Sequence, residues 1–480
     1  MKKSVRQSSR HTPCAVRPAA SAAGNDVRRY PTPRAAGGRH TECACYFSWL
    51  RTVAIVTLLL LPASAIRAAD LIPVPEFSNH LIPTVQLVSP RAAWHEYADV
   101  AMLTAGLALA SYFALRSRSR RGLFLLCIVS LAWLGFWRQG CVCPIGAIQN
   151  VAMAAFDPGY AVPAMVVAIF VLPLVFTLFF GRTFCSAVCP LGAVQELVAL
   201  RPVRVPTWLD HVLGLLAYVY LGAAVLLAAT GTAFLICRYD PFVGLFRMSA
   251  GREMLYVAAA FLVVGIFVGR PYCRYLCPYG AILSLLSRAS RWNLRIPPKE
   301  CVQCRLCEDA CPYGAIRPPT VIATHADRRV GRRRLAVCIA LLPALVAAGA
   351  VLGRKLETPL AKMHPTVALA ERVRLEEIHE VSGTTDASDA FRNTGRPAAD
   401  LYCEARLVSH RLGLGGAWFG AWVGLVLGVK LIQLSVRRRR TEYEPDPGRC
   451  VSCGRCFWYC PNEQARQGWI AAATLKGPVT

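Results

Sequence analysis

The sequence predicts a mainly α, polytopic membrane helix bundle, and two observations support that prediction. The 480 residues are 55% hydrophobic and 17% charged, with a mean hydropathy of +0.40, which is too apolar for soluble domains. Apolar runs long enough to cross the hydrocarbon core recur along the chain, and lipid favours helices because it cannot satisfy open backbone groups. About seven spans are expected, at about 98–115, 122–138, 161–180, 211–235, 254–268, 334–352 and 413–435.

The part before the first span divides into three segments. Residues 1–46 are rich in Arg, Ser, Ala and Pro and lack apolar periodicity, so we expect a disordered basic leader. Residues 47–69 contain a short apolar core that ends in small residues, which is typical of a signal peptide, with an N-terminal anchor as the alternative. Residues 70–97 are then an extracytoplasmic segment.

The net charge of +26 is concentrated in arginine blocks beside the spans, at 116–121, 328–334 and 437–440. This is the positive-inside pattern of a multi-pass protein of the bacterial inner (cytoplasmic) membrane, and it makes nucleic acid an unlikely partner compared with membrane lipid. With these blocks in the cytoplasm, the segments 270–333 and 436–480 are also cytoplasmic. The loop at 354–412, between the spans 334–352 and 413–435, is extracytoplasmic.

Eight of the 21 cysteines form two blocks with the pattern C-x2-C-x2-C-x3-C-P. They are Cys301, Cys304, Cys307 and Cys311, followed later by Cys450, Cys453, Cys456 and Cys460. This is the ligand run of a bacterial [4Fe–4S] ferredoxin, whereas zinc prefers separated pairs and disulfides are disfavoured in a reducing compartment. We therefore expect ferredoxin motifs at 291–327 and 441–480, with two [4Fe–4S] clusters. Because the intervening spans leave and return, the motifs form one small cytoplasmic ferredoxin-like two-cluster domain.

A second cysteine pattern repeats inside the membrane core, residues 98–290. The pattern GR-x-(aromatic)-C-x3-C-P-x-G-A contains Cys185 and Cys189 in one copy, and Cys273 and Cys277 in the other. The i, i+4 spacing places both sulfurs of a copy on one helical face, and the following proline marks a change of direction. Four converging thiolates suit zinc or an iron–sulfur cluster. The alternative is that these cysteines are small buried hydrophobes.

A degenerate third copy lies at 139–147 and contains Cys141 and Cys143, on the predicted outer face. Cys237 lies on the same face, so the three cysteines are a candidate redox-active thiol or metal site. A plain disulfide is the alternative, because the outer compartment is oxidising.

These cysteine patterns resemble those of the membrane polyferredoxins of the NosR and NapH type, over roughly residues 98–465. The resemblance to ferredoxin modules implies crossed ligation, in which Cys311 reaches the second cluster and Cys460 the first. NosR proteins carry a large N-terminal flavin domain, for which residues 70–97 are too short. Ser382-Gly383-Thr384-Thr385 only weakly resembles a flavin attachment motif, so we expect no flavin on this chain and a separate flavoprotein as a partner.

The resemblance implies an electron-transfer component rather than a stand-alone catalyst. Such a protein relays electrons between a quinol or cytoplasmic donor and an extracytoplasmic reductase system of the nitrous oxide or nitrate reductase type. The alternative is a redox-sensing regulatory or maturation factor for such a reductase. A metal transporter is disfavoured because the chain has only seven methionines. If quinol is oxidised, the candidate proton acceptors near the spans are His95, Glu96, Asp99, Asp210, His211 and Asp240.

Overall fold

The computed structural model describes residues 93–140, 143–248, 251–296, 301, 303–320, 325–436 and 440–470. The predicted leader, the signal or anchor, and most of the segment 70–97 lie outside these ranges, as does Cys141. Within them the chain is mainly helical and contains one two-stranded sheet. The mainly α prediction is therefore confirmed.

Five helices of the described part are long and apolar enough to cross a membrane, or six if one bent pair counts as a span. The five are Trp94–Arg116, Arg120–Trp137, Thr207–Ala229, Arg328–Lys355 and Ala398–Ser435. Two of the seven predicted spans, 161–180 and 254–268, coincide with helices that are shorter than these five. The helices there, Ala164–Phe180 and Arg252–Phe267, contain 17 and 16 residues. Flanking residues set this length: the first follows Pro163 and ends at Gly181, whose φ is +70°.

The membrane core consists of two successive units with the same order of elements. Each unit has a long helix, a short helix that begins with proline, a medium helix, and a second short helix that begins with proline, and the second unit contains two further helices of five residues each. The first unit contains α2 (Arg120–Ser130, continued by a π-helical stretch Leu131–Trp137), α3 (Pro144–Phe156), α4 (Ala164–Phe180) and α5 (Pro190–Val198). The second contains α6 (Thr207–Ala229), α7 (Leu235–Tyr239), α8 (Pro241–Arg247), α9 (Arg252–Phe267), α10 (Pro271–Tyr275) and α11 (Pro278–Leu286). Helix α1 (Ala93–Ser111, continued by a π-helical stretch Tyr112–Arg116) precedes both units.

Proline starts the short helices for a physical reason. Its fixed φ suits the first helical position, where its missing N–H would have no partner in any case. The residues just before these prolines are Cys143, Cys189, Asp240 and Cys277, and all four have extended backbone at the helix N-cap. The side chains of Phe184, Phe242, Tyr272 and Tyr279 fill the interior between the two units.

A helical hairpin follows the core and is held together by glycine. Helices α13 (His325–Lys355) and α17 (Ala398–Ser435) contain 31 and 38 residues. Gly416, Gly420, Gly424 and Gly428 repeat every fourth residue and form one stripe along α17. A Cβ added at Gly416 would lie 2.6 Å from the carbonyl oxygen of Gly353, so the two backbones are in direct contact. Such small-residue stripes allow close packing of membrane helices.

The connection between the hairpin helices forms a small helical unit. It contains the helices α14 (Glu357–Ala361), α15 (Pro365–Glu377) and α16 (Asp386–Asn393). Helices α15 and α16 share an apolar cluster with the start of α17. Glu376 is buried and forms ion pairs with Arg372 and Arg392. Thr385, the last residue of the weak flavin-like motif, accepts a hydrogen bond from the backbone N–H of Ser388 as the N-cap of α16.

The two ferredoxin-type blocks meet although the hairpin separates them in sequence. Strand β1 (Ile316–Arg317) pairs antiparallel with β2 (Glu444–Pro445), so that Ile316 faces Pro445. The remaining short helices are α12 (Leu306–Asp309), α18 (Arg455–Trp458) and α19 (Pro461–Arg466). The backbone N–H of Asp446 donates to the Ala315 carbonyl at 2.7 Å. Residues 301–320 and 440–466 therefore fold together.

We expect Gly420→Leu to separate the hairpin helices. A Cβ at this position collides with the backbone of Gly349, which no side-chain rotation can relieve. Overpacking of this kind costs about 1–3 kcal/mol, and more when backbone must move. Thermal unfolding of the detergent-solubilised protein, followed by loss of helical circular dichroism, should show a lower midpoint. Gly331→Ala in α13 is the matched control, because nothing lies within 4 Å of a Cβ there. Equal midpoints for the two variants would contradict the glycine contact.

Candidate functional site

The four cysteines of the repeated pattern line one cavity between the two units of the core. Cys185, Cys189, Cys273 and Cys277 surround it together with Arg182 and Tyr279. The sequence predicts this convergence. However, the two cysteines of each repeat do not lie on one helical face, as their spacing had predicted. Cys189 and Cys277 have extended backbone, with ψ of 116° and 112°, and therefore lie beyond the helical turns that carry Cys185 and Cys273. The proline that follows each of them starts a new helix and changes the chain direction.

Two buried arginines hold the repeats together by a reciprocal exchange. Arg182, from the first repeat, approaches the glycine of the second: a Cβ on Gly280 would lie 3.5 Å from its Nη2. Arg270, from the second repeat, approaches the glycine of the first, because a Cβ on Gly192 would lie 3.1 Å from its Nη1. Each glycine also faces a backbone carbonyl of its own repeat: a Cβ would lie 3.3 Å from the oxygen of Cys185 at Gly192, and 3.3 Å from that of Cys273 at Gly280. The glycine of the pattern therefore makes room for a guanidinium and a backbone carbonyl.

Hydrogen-bond donors surround the sulfurs of this cavity. The Gly280 N–H donates to Cys277 Sγ at 3.2 Å, and Gln195 Nε2 donates to Cys273 Sγ at 3.3 Å. Arg182 Nη2 lies 3.8 Å from Cys185 Sγ. Donors around sulfur stabilise its anionic form and are among the groups that set the potential of iron–sulfur centres.

Glu196 is the first of two buried carboxylates that connect the core to the ferredoxin-type blocks. Its oxygens accept hydrogen bonds from Arg270 Nε at 3.2 Å, Arg455 Nη2 at 2.8 Å and the Tyr313 hydroxyl at 2.7 Å. Burial alone would raise its pKa, but the charges of Arg270 and Arg455 outweigh burial and lower the pKa to about 2. The carboxylate is therefore ionised at physiological pH, and its stabilising contribution is lost only in acid, as the pH falls from its unfolded pKa towards 2.

Asp210 is the second connecting carboxylate. It accepts hydrogen bonds from Arg274 Nε at 2.8 Å and from Arg449 Nη1 at 2.6 Å. Arg274 follows Cys273 and Arg449 precedes Cys450, so one carboxylate links a cysteine repeat to the second block. His211 also contacts Arg449, at 2.9 Å. Asp210 and His211, two of the candidate proton acceptors, are thus held in an arginine cluster.

Most of the electrostatic influences among the eight block cysteines fall within two groups, although Cys307 also acts on Cys456. Cys311 acts on the thiols of Cys450, Cys453 and Cys456, which belong to the second block. Cys460 and Cys307 lie close to Cys301 and Cys304 of the first block. In each group, three cysteines of one block are accompanied by the fourth cysteine of the other.

The four-cysteine cavity is adjacent to the second of these groups. Tyr313, Ala315 and Val451 form a buried apolar cluster. Cys185 packs against it from the core, and Cys311, Cys450 and Cys453 pack against it from the blocks. One layer of side chains therefore separates the two sets of sulfurs.

Each set of cysteines supplies the four thiol groups that a [4Fe–4S] cluster requires. Over the described ranges, no group of three or more His, Cys, Asp or Glu side chains is placed to hold a single metal ion. A [4Fe–4S] cluster is held by four thiolates at its corners and needs no convergence on one point. Buried arginines beside the sulfurs supply the positive charge that four thiolates require. The residues present therefore fit iron–sulfur clusters.

The remaining predicted residues lie elsewhere. Cys143 and Cys237 line a separate cavity, while Cys141 is outside the described residues. Asp99 forms an ion pair with Arg138, and Asp240 caps helix α8.

The sequence patterns also contained residues whose importance was not predicted. Arg182, Arg270, Gly192 and Gly280 all belong to the repeated pattern GR-x-(aromatic)-C-x3-C-P-x-G-A, in which only the cysteines and proline were interpreted. The repetition of these letters was a usable signal. Glu196 occurs in one copy only, since Ser284 takes its place in the other, and no pattern marks it.

We expect Glu196→Gln to destabilise the contact between the core and the blocks. The change leaves Arg270 buried without its carboxylate, and removing one member of a buried pair costs about 3–5 kcal/mol. The midpoint of thermal unfolding should fall and bound iron should be lost at lower temperature than in the wild type. Glu444→Gln, at an exposed position of β2, is the control. An unchanged midpoint for Glu196→Gln would show that the carboxylate does not hold this contact.

Family models match the cysteine-bearing segments. One model, described as a 4Fe-4S binding domain, matches residues 162–208 and again 253–297, which contain the two cysteine repeats. A second model with the same description matches residues 294–317, which contain the first ferredoxin-type block. No solved structure matches the chain significantly.

Curated relatives cover the same part of the chain. Protein NirI of Paracoccus denitrificans is 31% identical over 277 residues, 55% of this chain and 40% of NirI. An uncharacterized protein of Methanocaldococcus jannaschii, MJ0750, is 31% identical over 186 residues, 37% of this chain and 75% of that protein. Regulatory protein NosR of Stutzerimonas stutzeri is 26% identical over 214 residues, 42% of this chain and 30% of NosR. The chain thus spans less than half the length of NirI and of NosR, and with its apolar helices and 4Fe-4S binding domains it belongs to the NosR/NirI-type family of 4Fe-4S membrane proteins.

Proposed function

We propose that this protein is a membrane-bound iron–sulfur electron-transfer component. It relays electrons between a quinol or cytoplasmic donor and an extracytoplasmic reductase system of the nitrous oxide or nitrate reductase type. The observation that supports this proposal best is the shared apolar cluster of Tyr313, Ala315 and Val451, which Cys185 contacts from the core and Cys450 contacts from the blocks. Sulfur sets packed on both sides of one side-chain layer suit electron transfer between them.

Three cysteine sets are proposed to hold clusters. The first set is Cys301, Cys304 and Cys307 with Cys460; the second is Cys450, Cys453 and Cys456 with Cys311; the third is Cys185, Cys189, Cys273 and Cys277. Bound clusters would supply one-electron carriers whose potentials depend on charge, hydrogen bonds and exposure. The matches of a 4Fe-4S binding domain to both cysteine repeats support assigning the third set to a cluster rather than to zinc.

The chain's own residues prepare the third set for an electron. Arg182 and Arg270 are 7% and 1% exposed, so their positive charges act on the sulfurs without screening by water. Arg182 donates a hydrogen bond to the carbonyl of Gly448, and Arg270 donates to the carbonyls of Cys185 and Ser186. These hydrogen bonds fix the positions of both guanidinium groups. A fixed positive charge favours the reduced, more negative form of any group that the four thiolates hold.

The arrangement in the membrane is part of the proposal. The arginine blocks at 116–121 and 328–334 lie at the helix ends nearest the ferredoxin-type blocks, which supports a cytoplasmic position for both blocks in the bacterial inner membrane. With helices α4 and α9 counted as spans, the total is seven. These two shorter spans alternate along the chain with short helices that begin with proline. The helical unit at 357–393 faces outward, where a redox partner, including a separate flavoprotein, has access to it.

A regulatory or maturation role is the second candidate, because one relative carries the printed name Regulatory protein NosR. The two candidates differ in flux. A relay is reduced and reoxidised as fast as its partners turn over, whereas a sensor is titrated without carrying flux. Stopped-flow reduction by a quinol analogue in membrane vesicles, compared with the turnover of the reductase system, separates them.

Iron content tests the third set. The protein purified anaerobically in detergent should contain more than about eight irons per chain, the sum for two four-iron clusters. Cys185→Ser/Cys273→Ser should lower the count to about eight, because the ferredoxin-type blocks keep their own thiolates. Cys403→Ser, at an exposed position of α17, is the control and should leave it unchanged. A count of about eight in all three proteins would remove the third cluster from the proposal, and near-zero iron would contradict the proposal as a whole.

The charge of Arg182 should be measurable in the potential of the third set. Replacing it by glutamine removes a positive charge and a donor 3.8 Å from Cys185 Sγ, so the reduced form becomes less stable. We expect a midpoint more negative by tens of millivolts, since a tenfold change in the one-electron equilibrium is about 59 mV. An EPR-monitored redox titration measures it. Arg121→Gln is the control, because the guanidinium of Arg121 stacks on Trp458. A midpoint identical to the wild type would show that Arg182 only supports the fold.

A further inference from the structure

The two units of the core carry a second set of equivalent positions besides the four-cysteine cavity. In each unit the first short helix begins with proline, as the second one does, and the residue before that proline is Cys143 in one unit and Asp240 in the other. These positions correspond to Cys189 and Cys277 at the second short helices. The fold that presents sulfur to the four-cysteine cavity therefore occurs again nearer the other ends of the long helices.

A cavity of about 150 Å³ lies at these positions and receives side chains from both units. Cys143 and Gly146 line it from the first unit, and Cys237 and Asp240 line it from the second. A Cβ added at Gly146 would lie 3.4 Å from Cys237 Sγ. Because Gly146 has no side chain, Cys237 Sγ of the second unit can approach the first turn of helix α3. Cys143 is the N-cap residue of this helix.

This cavity and the four-cysteine cavity are close neighbours. Ile145 lines the four-cysteine cavity, whereas the adjacent Gly146 lines the second cavity, so one helical turn separates them. A hydrogen bond also connects them: the hydroxyl of Tyr272 donates to Asp240 Oδ2 at 3.0 Å, and Tyr272 precedes Cys273 in the chain.

The carboxylate of Asp240 is already occupied. Its Oδ1 accepts hydrogen bonds from the backbone N–H groups of Phe242 and Val243, and its Oδ2 accepts the one from Tyr272. Asp240 is therefore committed to holding the start of helix α8. The reactive groups that remain in the described lining of the cavity are two sulfurs, of which Cys237 is exposed and Cys143 is partly buried.

We propose that Cys143 and Cys237 form a redox-active thiol pair, a second redox site beside the four-cysteine cavity. Oxidation joins the two sulfurs by one S–S bond and releases two electrons and two protons. With a disulfide oxidant such as oxidised glutathione, the two thiols are converted to one internal disulfide and the oxidant to two thiols. The exposed Cys237 is the sulfur that the oxidant reaches first, and Cys143 displaces the leaving thiol, because exchange requires access of a thiolate to a disulfide sulfur.

Differential alkylation tests the pair in the full-length protein in membranes. Samples are equilibrated in glutathione buffers of different redox poise, quenched in acid, and labelled with light N-ethylmaleimide. They are then reduced, labelled with heavy reagent and analysed by mass spectrometry. We expect Cys143 and Cys237 to pass from light to heavy label together, with the slope of a two-electron transition. If Cys143 is the residue that pairs with Cys237, the Cys141→Ser variant should retain the joint two-electron transition. Cys403→Ser is the control for an isolated exposed thiol.

Two variants complete the test. In Cys143→Ser, Cys237 should lose the two-electron transition and take up glutathione instead. Three results would overturn the proposal: light label at both residues at every poise, transfer of the pairing to Cys141, or a metal ion that only the Cys143→Ser/Cys237→Ser variant fails to retain. Iron content, measured in parallel, keeps this test separate from the proposed relay, because the double variant should retain all the iron of the wild type.

Discussion

The burial of two guanidinium groups is the constraint on which this structure depends. A charged group removed from water must find charge or hydrogen-bond partners, or the fold pays several kcal/mol for it. Arg182 and Arg270 find theirs only where two repeats and two ferredoxin-type blocks meet: Arg182 reaches a carbonyl of the second block, and Arg270 reaches Glu196 together with Tyr313 of the first. Arg182 thus joins the repeats to the second block, while Arg270 joins the two repeats through Glu196 and the carbonyls of Cys185 and Ser186.

Charge also explains why so basic a chain can surround so many cysteines. Part of the arginine excess lies at helix ends, as the positive-inside pattern predicts. Another part is internal: Arg120, Arg270 and Arg455 surround Glu196, while Arg274 and Arg449 surround Asp210. In both clusters the positive charges outnumber the carboxylate beside them. If the sulfurs are thiolates, as the proposed clusters require, this surplus of positive charge would offset part of their negative charge.

Sequence reasoning reached the membrane class, the two blocks and the convergence of the cysteine repeats, because long apolar runs and dense cysteine spacing are strong local signals. It did not reach the supports of the site. Arg182 and Gly280 act on each other across about a hundred residues of sequence, and such reciprocal contacts leave no periodicity. The span predicted at 161–180 was longer than α4, because the apolar run includes residues before Ala164, whereas the helix begins only after Pro163. Cys185 and Cys189 line the same cavity, as predicted. They do not share a helical face, because Cys189 has extended backbone.

The glycine stripe of the α13–α17 hairpin has a consequence for the order of assembly. The ribosome completes residues 301–317 before the hairpin exists, and residues 444–460 only after it. The first block of the proposed cluster-binding region is therefore made before its partner block, and the two can pair only once the hairpin between them has closed along its glycines. If the proposed clusters are bound, their loading would therefore follow insertion of the hairpin, because a chain that has not inserted would not bring the two halves of the sulfur sets together.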